Sequence, residues 1–161
     1  MSRVSLTCVL VSSFWVAACG GGGGSSSRAP DAGGGGLCAS DTMAVPYSAG
    51  MSETSPGGVK VAILNAEPAP PAQGGNVWNL VVTDSGGAKV TGATVSVQCL
   101  MKHATTGSHG CPKTPDVAEK GDGAYDVSSL YFNMGGHWEV TITVQPAGGA
   151  AENVVFPLCI E

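Results

Sequence analysis

His137-Trp138-Glu139-Val140-Thr141-Ile142-Thr143-Val144-Gln145, residues 137–145, is the stretch whose reading decides the fold. Trp138, Val140, Ile142 and Val144 occupy every second position, and a period of two places them on one face of a strand. A helix face would need apolar residues three as well as four apart, and none of these four are three apart. His137 falls on the opposite face from Trp138.

The same period recurs to either side. Residues 58–65 alternate Val59, Val61 and Ile63 with Lys60, Ala62 and Leu64, residues 76–83 align Trp78, Leu80 and Val82, and residues 93–101 align Val95, Val97, Cys99 and Met101. Residues 152–158 close the series, 115–120 read as a short edge strand, and 124–130 alternate less cleanly. Turn residues separate them at Asp84-Ser85-Gly86-Gly87, Gly121-Asp122-Gly123, Gly135-Gly136 and 146–149. About seven strands at this spacing predict an all-β, immunoglobulin-like β-sandwich, with Trp78 and Trp138 anchoring a core between sheets about 10 Å apart.

The amino terminus reads differently. Met1-Ser2-Arg3, an apolar stretch over 4–18 and Val16-Ala17-Ala18 directly before Cys19 resemble a bacterial lipoprotein signal peptide; a transmembrane helix would need about 20 apolar residues. The resemblance implies that residues 1–18 are removed and that the Cys19 thiol carries a lipid joining the protein to a membrane of the cell envelope. Gly20 stands where an aspartate would signal inner-membrane retention, so the resemblance implies the outer membrane, periplasmic side. Residues 19–36 are rich in glycine and serine and read as a flexible tether. The folded domain then spans 37–161, the size of one domain.

Charged residues make up only 12% of the chain and the net charge is -5, which excludes the basic surface that nucleic-acid binding needs. With Cys8 lost in the leader and Cys19 lipidated, Cys38, Cys99, Cys111 and Cys159 remain for disulfides in an oxidising compartment. Of three pairings, Cys99 with Cys111 closes a short loop and Cys38 with Cys159 ties the start of the domain to its end. No nucleophile elbow, zincin helix, Cys-x-x-Cys or phosphate loop occurs, so no enzyme is expected.

Two stretches could carry metal chemistry. Met101 and His103 with His109, and Met134 with His137, place thioethers and imidazoles at strand ends, and such donors suit copper better than calcium or magnesium. Zinc at Cys99, His103, His109 and Cys111 is the third reading, although this spacing matches no common structural zinc pattern. The same residues also fit without metal. Met101 shares a face with Val95 and Val97, Met134 precedes a glycine turn, and histidines beside Thr105, Thr106 and Ser108 suit an exposed loop.

Gly75-Asn76-Val77-Trp78, Val81-Val82-Thr83-Asp84, Gly92-Ala93-Thr94-Val95, Met101 with His109-Gly110, Gly123-Ala124-Tyr125 and Leu130 through Val140 resemble the YtkA-like domain family, related to FixH-type proteins, over residues 58–145. The resemblance implies a small exported or membrane-attached β-sandwich, with FixH-type relatives associated with copper supply to respiratory oxidases. The usual loop of that family carries methionine, proline and a close His-Gly; here Lys102 follows Met101 and His109-Gly110 comes later. Two functions are therefore expected in competition. One is binding or delivery of copper by Met101, His103, His109, Met134 and His137; the other is a metal-free structural or interaction module that meets another envelope protein.

Overall fold

A computed structural model describes residues 38, 41–102 and 107–161. The expected signal peptide, Cys19, the tether and His103 lie outside the described residues.

Among the described residues nine strands form two antiparallel sheets that together resemble a β-sandwich. They are β1 (Ser52–Thr54), β2 (Lys60–Glu67), β3 (Gly74–Thr83), β4 (Thr94–Lys102), β5 (His109–Gly110), β6 (Asp116–Gly121), β7 (Ala124–Phe132), β8 (Gly136–Gln145) and β9 (Glu152–Ile160). One sheet has the order β1-β2-β3-β7-β6 and the other β5-β4-β8-β9. The sequence leads to about seven strands; the two further ones, β1 and β5, are three and two residues long. Segments that short cannot display a period.

β8 confirms the reading of its alternation. It pairs with β4 from Thr94↔Gln145 to Lys102↔His137 and with β9 from Val144↔Glu152 to Gly136↔Ile160, and Trp138, Val140, Ile142 and Val144 are completely buried. Opposite them, Trp78, Leu80 and Val82 of β3 and Tyr125, Val127, Leu130 and Phe132 of β7 complete the inner surface. Phe132 joins the two sheets. Its ring centroid lies 6.2 Å from that of Trp78 in its own sheet and 5.1 Å, edge-on, from that of Trp138 in the other. Removing each such large apolar side chain from water contributes about 1.5–3 kcal/mol.

β7 is the strand whose pattern is least clear in the sequence, and its structure gives the reason. Asn76↔Leu130 is followed by Trp78↔Val127, so β7 carries one residue more than β3 at this point. Ser129, at φ 58°, absorbs it. The bulge lets Tyr125 and Val127 on one side and Leu130 and Phe132 on the other all face inward, at the cost of a regular period. A matching irregularity between Ile63 and Asn65 turns Ala66 of β2 inward after Val61 and Ile63.

Two local devices fix the hairpins. β6 and β7 meet through Asp122-Gly123, with φ of 51° and 69°, which is the two-residue turn that matches strand twist. A Cβ at Gly123 would stand 2.7 Å from the Val82 carbonyl oxygen, so only glycine fits there. After β3, the Asp84 carboxylate accepts the amides of Gly86 and Ala88 at 2.8 and 2.9 Å. The Tyr125 hydroxyl then donates to the Val90 carbonyl at 3.0 Å and accepts the Ala93 amide at 3.3 Å, holding the entry to β4.

The segment before β1 is fastened to the four-stranded sheet. Cys38 is disulfide-bonded to Cys159 of β9, with Cα atoms 5.9 Å apart. Val45 donates to the Pro157 carbonyl at 2.7 Å and accepts the Cys159 amide at 3.2 Å, so it covers part of the edge of β9. A second disulfide joins Cys99 of β4 to Cys111, just past β5, with Cα atoms 5.4 Å apart. None of the helices sought among the described residues is long and apolar enough to cross a membrane.

Candidate functional site

β4 and β8 carry the residues with chemical potential, and the pleat decides where each points. Met101 is cross-strand from Trp138 and, like it, faces the interior, only 4% exposed. Its Cε fills the space a side chain at Gly136 would need, since a Cβ there would come within 2.9 Å. This methionine is a core residue. His137 is one position from Trp138 and therefore faces the other side of the sheet, between Lys102 and Cys159 of the neighbouring strands.

His137 is nevertheless buried, at 8% exposure, because the amino-terminal segment lies over it. Its Nδ1 is 2.7 Å from Oδ2 of Asp41. The other carboxylate oxygen of Asp41 accepts the amides of Met43 and Ala44 at 2.8 and 3.2 Å. The Met43 amide, then His137 and Ala44, hold the Asp41 carboxyl below its usual range against the opposing effect of desolvation. An ionised Asp41 is an acceptor only, so Nδ1 of His137 carries the proton it receives. Nε2 is buried and has no hydrogen-bond partner among the described residues. Beside this pair, Lys102 Nζ meets Glu139 Oε2 at 2.8 Å.

The remaining candidates lie elsewhere. His109 is exposed on β5, in register with Met101. Met134 is 43% exposed in the turn between β7 and β8, where its carbonyl accepts Trp138 Nε1 at 3.0 Å. Met101 and His137 are thus on opposite faces of one sheet. Among the described residues no group of three or more His, Cys, Asp or Glu side chains is placed to hold a metal ion. Asp41 has no sequence signal that could tie it to His137, 96 positions away.

A different surface stands open. On the outer face of the five-stranded sheet, Leu64 of β2, Val77 of β3 and Tyr131 of β7 are 50%, 42% and 44% exposed. Val77 lies opposite Glu67 and Tyr131 opposite Gly75, whose lack of a side chain leaves the aromatic ring uncovered on that side. Asn79 donates to Asp126 at 2.6 Å and Lys120 pairs with Asp126 at 3.4 Å, forming a polar border.

Neither a curated protein nor a solved structure matches the chain significantly. The family profile described as YtkA-like matches residues 54–143, from the last residue of β1 to the penultimate pair of positions in β8. That span contains Trp78, the bulged β7, the Asp122-Gly123 hairpin, Met101 and His137, while Asp41, Val45 and the Cys38–Cys159 disulfide lie outside it. By this match across most of its described strands, the chain belongs to the YtkA-like family.

Proposed function

We propose that this protein is a lipid-anchored module of the cell envelope, with an immunoglobulin-like sandwich, that acts through protein contact and holds no metal of its own. The observation that carries the reading is the divergence of the sulfur and imidazole donors: Met101 is committed to the core while His137 is committed to Asp41 on the opposite face. A copper site through both would require one of them to leave its present partners. The exposed Leu64, Val77 and Tyr131 supply a surface suited to a partner protein. Membership of the YtkA-like family supports the envelope location, and the Cys19 motif supports a lipid anchor on the periplasmic side, in the outer membrane. Catalysis forms no part of this role.

Copper delivery, the rival function, makes an opposite forecast. The oxidised protein is titrated with Cu(I) and Cu(II) while its thermal unfolding is followed. The expected result is an unchanged melting temperature, because a ligand that does not bind the native state cannot stabilise it. A rise of several degrees that vanishes in Met101→Leu would overturn the metal-free reading.

A further inference from the structure

The outer main-chain groups of a sheet's last strand lack partners, and such an edge accepts another strand unless something blocks it. Among the described residues, three of the four sheet edges are guarded. β1 is three residues long, β6 carries Asp116, Glu119 and Lys120, and β9 contains Pro157 and is covered in part by Val45. The fourth edge belongs to β5, which shields only the end of β4 behind it. Leu100 and Met101 pair with Gly110 and His109, and the Cys99 carbonyl accepts the Cys111 amide at 3.2 Å. From Thr94 to Gln98 the same side of β4 has no strand beside it among the described residues. In an antiparallel ladder the amide and carbonyl of one residue point to the same side, and the side alternates along the strand. The Cys99 carbonyl faces away from β8, so the main-chain groups of Val97 and Val95 do as well. A cleft of about 270 Å³ opens beside them, lined by Val97, Gln98, Cys99, Cys111, Lys113 and Pro115, so the chain running from β5 to β6 leaves this edge accessible. The stretch has none of the usual guards. Thr94, Ser96 and Gln98 are exposed and uncharged, Val95 and Val97 turn inward, proline is absent, and the register against β8 is unbroken.

We propose that this edge takes the same edge of a second copy, β4 against β4, antiparallel about a two-fold axis at Ser96. An edge with valines inward and hydroxyl and amide side chains outward fits a strand of the same alternation, and residues 94–98 are themselves such a strand. Val95 of one copy exchanges both main-chain hydrogen bonds with Val97 of the other, and Ser96 faces its own equivalent in the closer, non-hydrogen-bonded type of pair. Each contact occurs twice, as a two-fold axis requires. No like charges stand opposite one another, because Thr94, Ser96 and Gln98 are neutral. A contact made by Thr94 to Gln98 alone is far smaller than the roughly 20–30 residues a side of a standard interface, so the dimer is weak and its population follows concentration. The surface is separate from Leu64, Val77 and Tyr131, which belong to the other sheet, and the inference does not depend on a lipid at Cys19.

The test uses the full oxidised chain in detergent, with micelles in excess over protein. Ser96→Cys sets two thiols face to face at an exposed position, with Cα atoms expected about 4.5 Å apart in the dimer, within the range of a disulfide. Mild oxidation is expected to give covalent dimer at least about tenfold faster for Ser96→Cys than for Ala118→Cys on the charged β6 edge. Exchange of the Val95 and Val97 amides is expected to slow at least about tenfold over about a hundredfold rise in protein concentration. Ser96→Lys places like charges opposite each other at an exposed site and is expected to abolish that slowing. Equal cross-linking at the two positions, exchange that ignores concentration, or slowing that persists in Ser96→Lys overturns the pairing. Protection of Val97 that arises only when another envelope protein is added gives the edge to a different partner, and overturns it too.

Discussion

Phe132→Ala is the substitution expected to damage this fold most per atom removed. Phe132 is completely buried, and its ring touches both tryptophans, one in each sheet, at centroid distances of 6.2 and 5.1 Å. Truncating a buried phenylalanine costs about 3–5 kcal/mol through lost transfer energy and the cavity left behind. Two aromatic contacts worth about 0.5–1.5 kcal/mol each place this site toward the upper end of that range. Against a total stability of about 5–15 kcal/mol, such a loss removes a third or more of what holds the domain folded. Phe132→Leu keeps most of the volume and is expected to cost no more than about half as much. Urea unfolding of the oxidised protein, followed by near-ultraviolet circular dichroism, measures both, with the midpoint reporting stability and the slope reporting surface exposed. A Phe132→Ala loss below about 1 kcal/mol, or one no larger than that of Phe132→Leu, would refute the idea that this ring couples the sheets.

Other expectations follow from single contacts. Tyr125→Phe removes the hydroxyl that serves Val90 and Ala93 and is expected to cost about 1–2 kcal/mol in the same assay. Burial, chiefly, raises the Tyr125 pKa above its usual 10.0, so its contribution is complete below pH 10 and is lost as pH rises through the folded-state value, which an alkaline absorbance titration of the native protein against Tyr125→Phe should place above 10.0. Asp41 behaves in the opposite sense. Its carboxyl is held below 3.8, so its contribution is present above that pH and disappears as pH falls through the folded value, and Asp41→Asn should flatten acid unfolding in this window. Serine replacement of Cys38 and Cys159, which close a loop of 121 positions, should cost about 4–5 kcal/mol in the chain-entropy account, against about 3 for Cys99 and Cys111, 12 positions apart; equal losses on urea unfolding would contradict that ordering. Met101→Leu, a volume-conserving exchange in the core, should cost less than about 1.5 kcal/mol.

The fold was legible where side chains alternate without interruption. In β8 from Trp138 and in β3 from Trp78 every second residue is large and apolar, and the pleat alone assigns these tryptophans to the interior. β7 was harder to read because its bulge at Ser129 shifts the parity between Val127 and Leu130. β1 and β5 were illegible because strands of three and two residues are defined by the neighbour they pair with, and pairing leaves no local trace. The candidate site divides in the same way. The alternation of β4 and β8 already separates Met101 from His137, since one lies on the face of Val97 and the other opposite Trp138. What covers His137 depends on Asp41, brought there by the Cys38–Cys159 disulfide and the Val45 pairing. Contacts between residues 96 apart are set by the closed fold, and nothing in either local stretch announces them.

The central claim is that Met101 and His137 are committed to the core and to Asp41 respectively and do not share a metal. Its most direct test is the copper content, by elemental analysis, of the domain from Leu37 onward purified from an oxidising compartment with copper supplied. The account predicts far less than one copper per chain, the same for the native sequence and Met101→Leu. A full equivalent that survives purification and is lost on replacing Met101 or His137 would contradict it.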